Sequence, residues 1–170
     1  TSLLMLNKAT SNTDSLPKAN LRIDELIFRI VDEMELLHAD MQTNINFNDN
    51  TPLPHAFEIN ANSLLLANCF RNLIENCYKY STDKIVSIDF IAEEKGVMVL
   101  LSNRGAGMDK KDSENIFTPF YRGKNSIGIK GIGLGLSLAK SIIDLHNGNI
   151  EYIYLDKINT FKVYLPSWCK

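Results

Sequence analysis

Three glycines at alternate positions, Gly131, Gly133 and Gly135, run straight into a helical apolar repeat. Leu136, Ala139, Ile142, Ile143 and His146 follow at helix spacing, and Asn147-Gly148 closes the pattern. A glycine loop that opens onto a helix leaves main-chain N–H groups bare at the positive end of the helix dipole. That arrangement suits a phosphate. It also serves as an ordinary turn, so its meaning depends on what the chain brings beside it.

The chain reads as one domain preceded by a tail. Residues 1–9 have helical spacing without an N-terminal cap, and 10–19 read as linker, so the chain is expected to be a piece of a longer protein. Leu21–Ile23 reads as a short strand. Asp24 is placed to cap a helix through Leu26, Ile27, Ile30, Val31, Met34 and Leu37. Thr43–Phe47 and Ala56–Ile59 read as strands flanking a turn at Asn48–Pro52. Asn60 or Asn62 starts a long helix ending near Tyr80. Lys84–Ala92 and Val97–Asn103 form a hairpin around Glu93–Gly96, the second strand apolar enough to be central. Ser113–Phe117 reads as a short helix and Thr118–Lys130 as a mobile loop of functional length. The helix after the glycine run reaches about His146. Asn149–Leu155 and Thr160–Leu165 make a last hairpin around Asp156–Asn159.

Composition excludes several classes. A chain of 170 residues with 45% hydrophobic content has enough apolar material for a core. A net charge of −2 gives no basic footprint for nucleic acid. Cys69 and Cys77 share one predicted helix, about 12 Å apart at ~1.5 Å per residue, too far for a disulfide. Without a CxxC pair, reduced thiols and a cytoplasmic setting are expected. No run approaches the ~18 apolar residues of a membrane span. That leaves room for a membrane anchor in the parent protein.

The predicted helix near Tyr80 carries Asn68, Asn72 and Asn76 four residues apart, on one face. Asparagine is a poor helix former, and three in register ask for a reason. An amide oxygen can ligate Mg²⁺ beside substrate phosphates, and Lys79, one turn on, adds a positive charge. The Asn103–Gly107 turn could bring a polar side chain and bare backbone up to a planar base. Arg122, Lys124 and Lys130 could form a basic lid over anions. The P-loop pattern GxxxxGK[ST] is absent, and GxGxG is not the dinucleotide GxGxxG.

Taken together, these stretches resemble the sensor histidine kinases. Asn72-Leu-Ile-Glu-Asn76-Cys-Tyr-Lys79-Tyr80 resembles their N box, and Asn103-Arg-Gly105-Ala-Gly107-Met108 their first glycine box. Phe117-Thr-Pro-Phe120-Tyr-Arg122 resembles the F box, and Gly131-Ile132-Gly133-Leu134-Gly135-Leu136 the second glycine box. Order and spacing agree over roughly residues 20–166. The resemblance is to the ATP-binding catalytic domain, in the superfamily shared with gyrase, MutL and heat-shock ATPases.

The resemblance implies an α/β two-layer sandwich: a mixed, mostly antiparallel sheet of about five strands packed on three helices, with a flexible ATP lid. It implies residues 1–19 as the tail of an upstream dimerisation and phosphoacceptor helix plus linker, and 20–168 as the catalytic domain. Mg-ATP would be the ligand, with Asn76 on Mg²⁺ and Asn72 and Lys79 near the phosphates. Tyr80 would lie near ribose or base, Asn103 on the adenine amino group with Gly105, Gly107 and Met108 beside it, and Arg122 at the γ-phosphate. Phe117, Phe120 and the Gly131–Leu136 amides would complete the site. The γ-phosphate would pass to a histidine on the phosphoacceptor domain of the same kinase, then to a response regulator. Alone, this domain is expected to be monomeric. Hydrolysing relatives carry glutamate where this chain has Asn72, and an amide cannot act as a general base for water. Position 103 departs from the family's aspartate. No histidine here is followed by an acidic residue, so the acceptor is absent from the chain. The alternative is a degenerate nucleotide- or partner-binding module without catalysis.

Overall fold

Period-two alternation builds the sheet. Val86, Ile88 and Phe90, then Val97, Val99 and Leu101, then Phe161, Val163 and Leu165 are all buried on alternate positions of three strands. The computed structural model describes residues 17–48, 56–123 and 131–167. The expected helix over 1–9, the turn beyond Asn48, and Lys124, Gly128 and Lys130 of the loop lie outside the described residues.

In chain order the elements are β1 (Ala19–Arg22), α1 (Ile23–Leu37), β2 (Gln42–Asn48), β3 (Glu58–Ala61), α2 (Ser63–Tyr80), β4 (Ile85–Glu93), β5 (Gly96–Arg104), α3 (Lys110–Asn115), α4 (Gly135–Leu145), β6 (Asn149–Leu155) and β7 (Ile158–Pro166). The main sheet has the order β2-β4-β5-β7-β6. β2 runs parallel to β4, and the other three pairs are antiparallel. β5 is central, as its apolar run implies. β1 and β3 form a separate antiparallel ribbon. The sheet and the helices make an α/β sandwich of two layers.

The core lies between that sheet and α1, α2 and α4. Leu66, Phe70, Leu73 and Ile74 of α2 and Leu138, Ala139, Ile142 and Ile143 of α4 are buried in it. Each such large side chain contributes about 1.5–3 kcal/mol on burial. At one end Phe90 stacks on Phe47, with ring centroids 5.0 Å apart, and meets Phe28 and Phe57 edge-on.

Several boundaries differ from expectation for local reasons. Asn62, not Asn60, caps α2, its side chain accepting from Leu65 N at 3.0 Å. Asp24 is not the cap of α1. It lies inside the first turn, buried, where Arg22 Nε donates to it at 3.0 Å. Ala56–Phe57 is a turn, and the strand begins at Glu58. The short helix starts earlier, at Lys110, because Asp109 accepts from Asp112 N at 2.8 Å. The last hairpin turns on Asp156-Lys157 alone, both with positive φ as a two-residue primed turn requires. Ile158 and Asn159 are already strand.

Candidate functional site

The α2 asparagine face and the glycine run meet. α2 and α4 pack antiparallel: Asn62 N donates to His146 Nε2 at one end, and Cys69 Sγ lies 3.7 Å from Ala139 O midway. At the other end Gly135 abuts Asn72, where a Cβ on the glycine would come within 3.3 Å of Asn72 Oδ1. Beyond this contact lies an open cleft of about 250 Å³. Asn72, Asn76, Lys79 and Tyr80 line one wall and Gly131–Leu136 the other. Met108 and Arg122 also line it.

The glycine run is shaped by one residue in the left-handed region, which glycine adopts without strain. Gly133 has φ +77°, and its carbonyl accepts from Phe120 N at 2.8 Å. This ties the F-box stretch to the glycine loop. α4 then starts at Gly135 with no side-chain cap and no acidic residue in its first turn. Its first N–H groups have no intrahelical acceptor, and the dipole adds positive potential where they point. Behind the loop, Tyr121 Oη donates to Asp112 Oδ1 at 2.7 Å, which raises the phenol pKa.

On α2 the amides are oriented by the helix itself. Asn76 Nδ2 donates to Asn72 O at 3.1 Å, and Asn68 Nδ2 to Leu64 O at 2.8 Å. Each amide held through its nitrogen keeps its oxygen as the remaining acceptor. Among the described residues no group of three His, Cys, Asp or Glu gathers to cage a metal. Asn76 Oδ1, left as an acceptor by its Nδ2 bond, is the oxygen donor type of a Mg²⁺ that takes one protein ligand and draws the others from phosphates and water. Lys79 Nζ is paired with Glu75 at 2.8 Å, and both side chains are about half-exposed. Burial raises the Tyr80 pKa, opposed by the nearby Arg122 charge. Cys69 and Cys77 are fully buried, which pushes the Cys77 thiol up to about 12, so neither is a nucleophile.

Residues 61–168 match the family described as Histidine kinase-, DNA gyrase B-, and HSP90-like ATPase. The chain belongs to that family. It is 30% identical over 166 residues to the sensor histidine kinase HprS of Escherichia coli (strain K12), covering 96% of this chain and 35% of HprS. It thus spans about a third of that relative's length. Full-length ShkA, solved in complex with AMPPNP, superposes with a TM-score of 0.79 at 19% identity, covering 99% of this chain and 35% of ShkA. Histidine kinase ThkA, solved with the response regulator TrrA, superposes at 0.74 and 19% identity, over 98% of this chain and 47% of that one. These structures share the fold of this ATPase domain. No helix among the described residues is long and apolar enough to cross a membrane.

Not every predicted residue of this ATPase domain lines the cleft. Asn103 is buried on β5. Gly105 backs onto Tyr80 O, and Gly107 lies against the Tyr154 ring, each so closely that a Cβ would clash at 2.4 and 2.3 Å. Phe117 packs on the core, and Phe120 is 61% exposed with φ +64°. Glu75, Ile116, Tyr121 and Gly123 line the cleft without having been singled out. The i,i+4 spacing of Glu75 and Lys79 carried the signal for the first. The others depend on how the loop folds back.

Proposed function

We propose that this chain is the catalytic domain of a sensor histidine kinase, which binds Mg-ATP in the α2–α4 cleft and passes its γ-phosphate to a histidine on a separate dimerisation domain of the same kinase. A response regulator aspartate would receive the phosphoryl group next. One observation carries this reading: Asn72, Asn76 and Lys79 of one helix face line the same cleft as the bare amides of Gly131–Leu136. The nucleotide analogue in the ShkA structure and the regulator bound to ThkA support it by fold analogy.

In this reading the Gly131–Leu136 amides and the α4 N-terminus hold the phosphate chain. Lys79 exchanges Glu75 for a phosphate oxygen, and Arg122 steadies the γ-phosphoryl group. Tyr80 and Met108 flank the ribose and base, and Asn103 takes the adenine amino group. Asn76 Oδ1 would hold Mg²⁺, which neutralises charge on the triphosphate. Asn72 is an amide and takes no proton from water, so the site favours direct transfer to an imidazole nitrogen over hydrolysis. Residues 1–19 would be the tail of the acceptor-bearing helix and its linker, in a parent whose catalytic portion faces the cytoplasm.

The test mixes this chain with γ-labelled Mg-ATP and the parent's phosphoacceptor domain. Acid-labile, base-stable label on that domain is the expected result. ATP binding without such label would favour a degenerate binding module, the reading that the Asn103 departure supports. Steady phosphate release by the chain alone would indicate a hydrolase instead.

A further inference from the structure

Asp112 is a buried carboxylate that the proposed chemistry leaves without a task. It is 5% exposed and is the one buried residue of α3. Its main-chain N–H donates to Asp109 Oδ1 at 2.8 Å. A carboxylate out of water is costly unless it accepts hydrogen bonds. Tyr121 Oη donates to Asp112 Oδ1 at 2.7 Å, a charge-assisted bond of the strong kind. The phenol that does so belongs to the loop wall of the cleft.

The residue before Tyr121 is held against its preference. Phe120 has φ +64°, a left-handed backbone that a bulky L residue adopts only where its surroundings fix it. Burial of the ring does not compensate, because Phe120 is 61% exposed. The reversal is tied on both sides: Phe120 N–H donates to Gly133 O at 2.8 Å, and the Tyr121 phenol donates to Asp112. The chain leaves this reversal with Arg122 lining the cleft, close enough to Tyr80 on the α2 wall for its charge to act on that phenol.

We propose that Tyr121 is a positioning residue: its bond to Asp112 sets the turn that presents Arg122 to the terminal phosphate of a nucleoside triphosphate, and so favours triphosphate over diphosphate. This rests on the ATP-binding reading above, in which Arg122 meets the γ-phosphate. In that reading the base, the ribose and the inner phosphates lie against other residues, so a diphosphate is indifferent to where Arg122 stands. Tyr121 acts through the main chain of the next residue. A phenylalanine in its place would keep the ring and lose the bond.

The experiment is calorimetric titration of Mg-ATP and Mg-ADP into the wild-type chain, Tyr121→Phe, Arg122→Ala and the two combined. Tyr121→Phe should weaken Mg-ATP about tenfold and Mg-ADP by no more than about threefold. Arg122→Ala should do the same, and the combined variant should lose little more than either, since both remove one contact. Tyr121→Phe also leaves a buried carboxylate short of one donor. Adding Asp112→Asn to it should therefore recover the thermal midpoint while the ATP loss stays. Equal weakening of ATP and ADP by Tyr121→Phe, losses that add in full, or ATP affinity that recovers with the midpoint overturns the inference. Tyr121→Phe equal to wild type, with Arg122→Ala weakening ATP, sinks the inference alone. Arg122→Ala without effect sinks its γ-phosphate role and this inference with it, and no binding of either nucleotide sinks the ATP-binding reading as well.

Discussion

Gly133→Ala should disarm the phosphate loop, whereas Gly131→Ala, two residues away, should not. Gly133 sits at φ +77°, where an L side chain costs about 1–2 kcal/mol. The new Cβ would stand 2.7 Å from Tyr121 O and 2.8 Å from Phe120 C. Both are main-chain atoms, so the loop itself must move. The bond it would strain is Phe120 N–H to Gly133 O, 2.8 Å long and contributing about 0.5–1.5 kcal/mol. Together these give about 1.5–3.5 kcal/mol, or roughly 10- to 300-fold in nucleotide affinity. The cost falls on the loop and not on the core, so the thermal midpoint should stay within a few degrees of wild type. A methyl group on Gly131 would meet no atom within 4 Å, and alanine there should change affinity by about threefold at most. Titration with a fluorescent ATP analogue in Mg²⁺ reads both variants. Equal affinity for the two would refute the claim that loop shape holds the phosphates.

Three further expectations follow from the same geometry. Glu75→Gln should release Lys79 from its half-exposed ion pair and raise ATP affinity by up to about fivefold, since such pairs hold about 0–1 kcal/mol; a loss of affinity would count against Lys79 as a phosphate ligand. His146 is buried with its pKa lowered below the ordinary 6.5, chiefly by desolvation. The unfolded chain therefore takes up the proton first, so the His146 contribution is intact above 6.5 and is lost as pH falls through the folded value. Urea midpoints should fall as the pH drops from 6.5 to that value and level off below it, and His146→Gln should flatten the fall. Phe90→Ala, which removes a fully buried ring from the four-phenylalanine cluster, should cost about 3–5 kcal/mol in urea unfolding without a specific effect on the cleft.

Much of this was legible because the patterns were local. Apolar segments set around turn residues named β4, β5 and β7, and the four-residue asparagine spacing named the face of α2 that lines the cleft. What stayed hidden depends on contacts between distant segments. Gly105 and Gly107 look like bare backbone offered to a ligand, yet each is glycine because Tyr80 O or the Tyr154 ring presses against it. Asn159 gave no signal in a strand of alternating residues, yet it is buried opposite Asn103 and accepts from Tyr152 Oη. α3 has almost no apolar period in Lys110–Asn115, so its start depends on the Asp109 cap. Tyr121 reaches the cleft because Asp112 and the Phe120–Gly133 bond fold the loop back.

The antiparallel helix pair is tied at one end and opens on the cleft at the other. The tie is where Asn62 N–H meets His146 Nε2, and the incoming chain is fastened there too: Asn62 Nδ2 donates to Pro17 O, and Lys18 Nζ to Leu145 O. At the cleft, Gly135 lies on one helix and Asn72–Lys79 on the other. α4 has 11 residues and so is about 16 Å long. A tilt of about 5° at the tie would move Gly135 by about 1.4 Å over that length, half the span of a hydrogen bond. The segment leading into β1 is thus tied to the end of the helix pair opposite the cleft, where any rotation of α4 would reach Gly135 with the whole length of the helix as its arm.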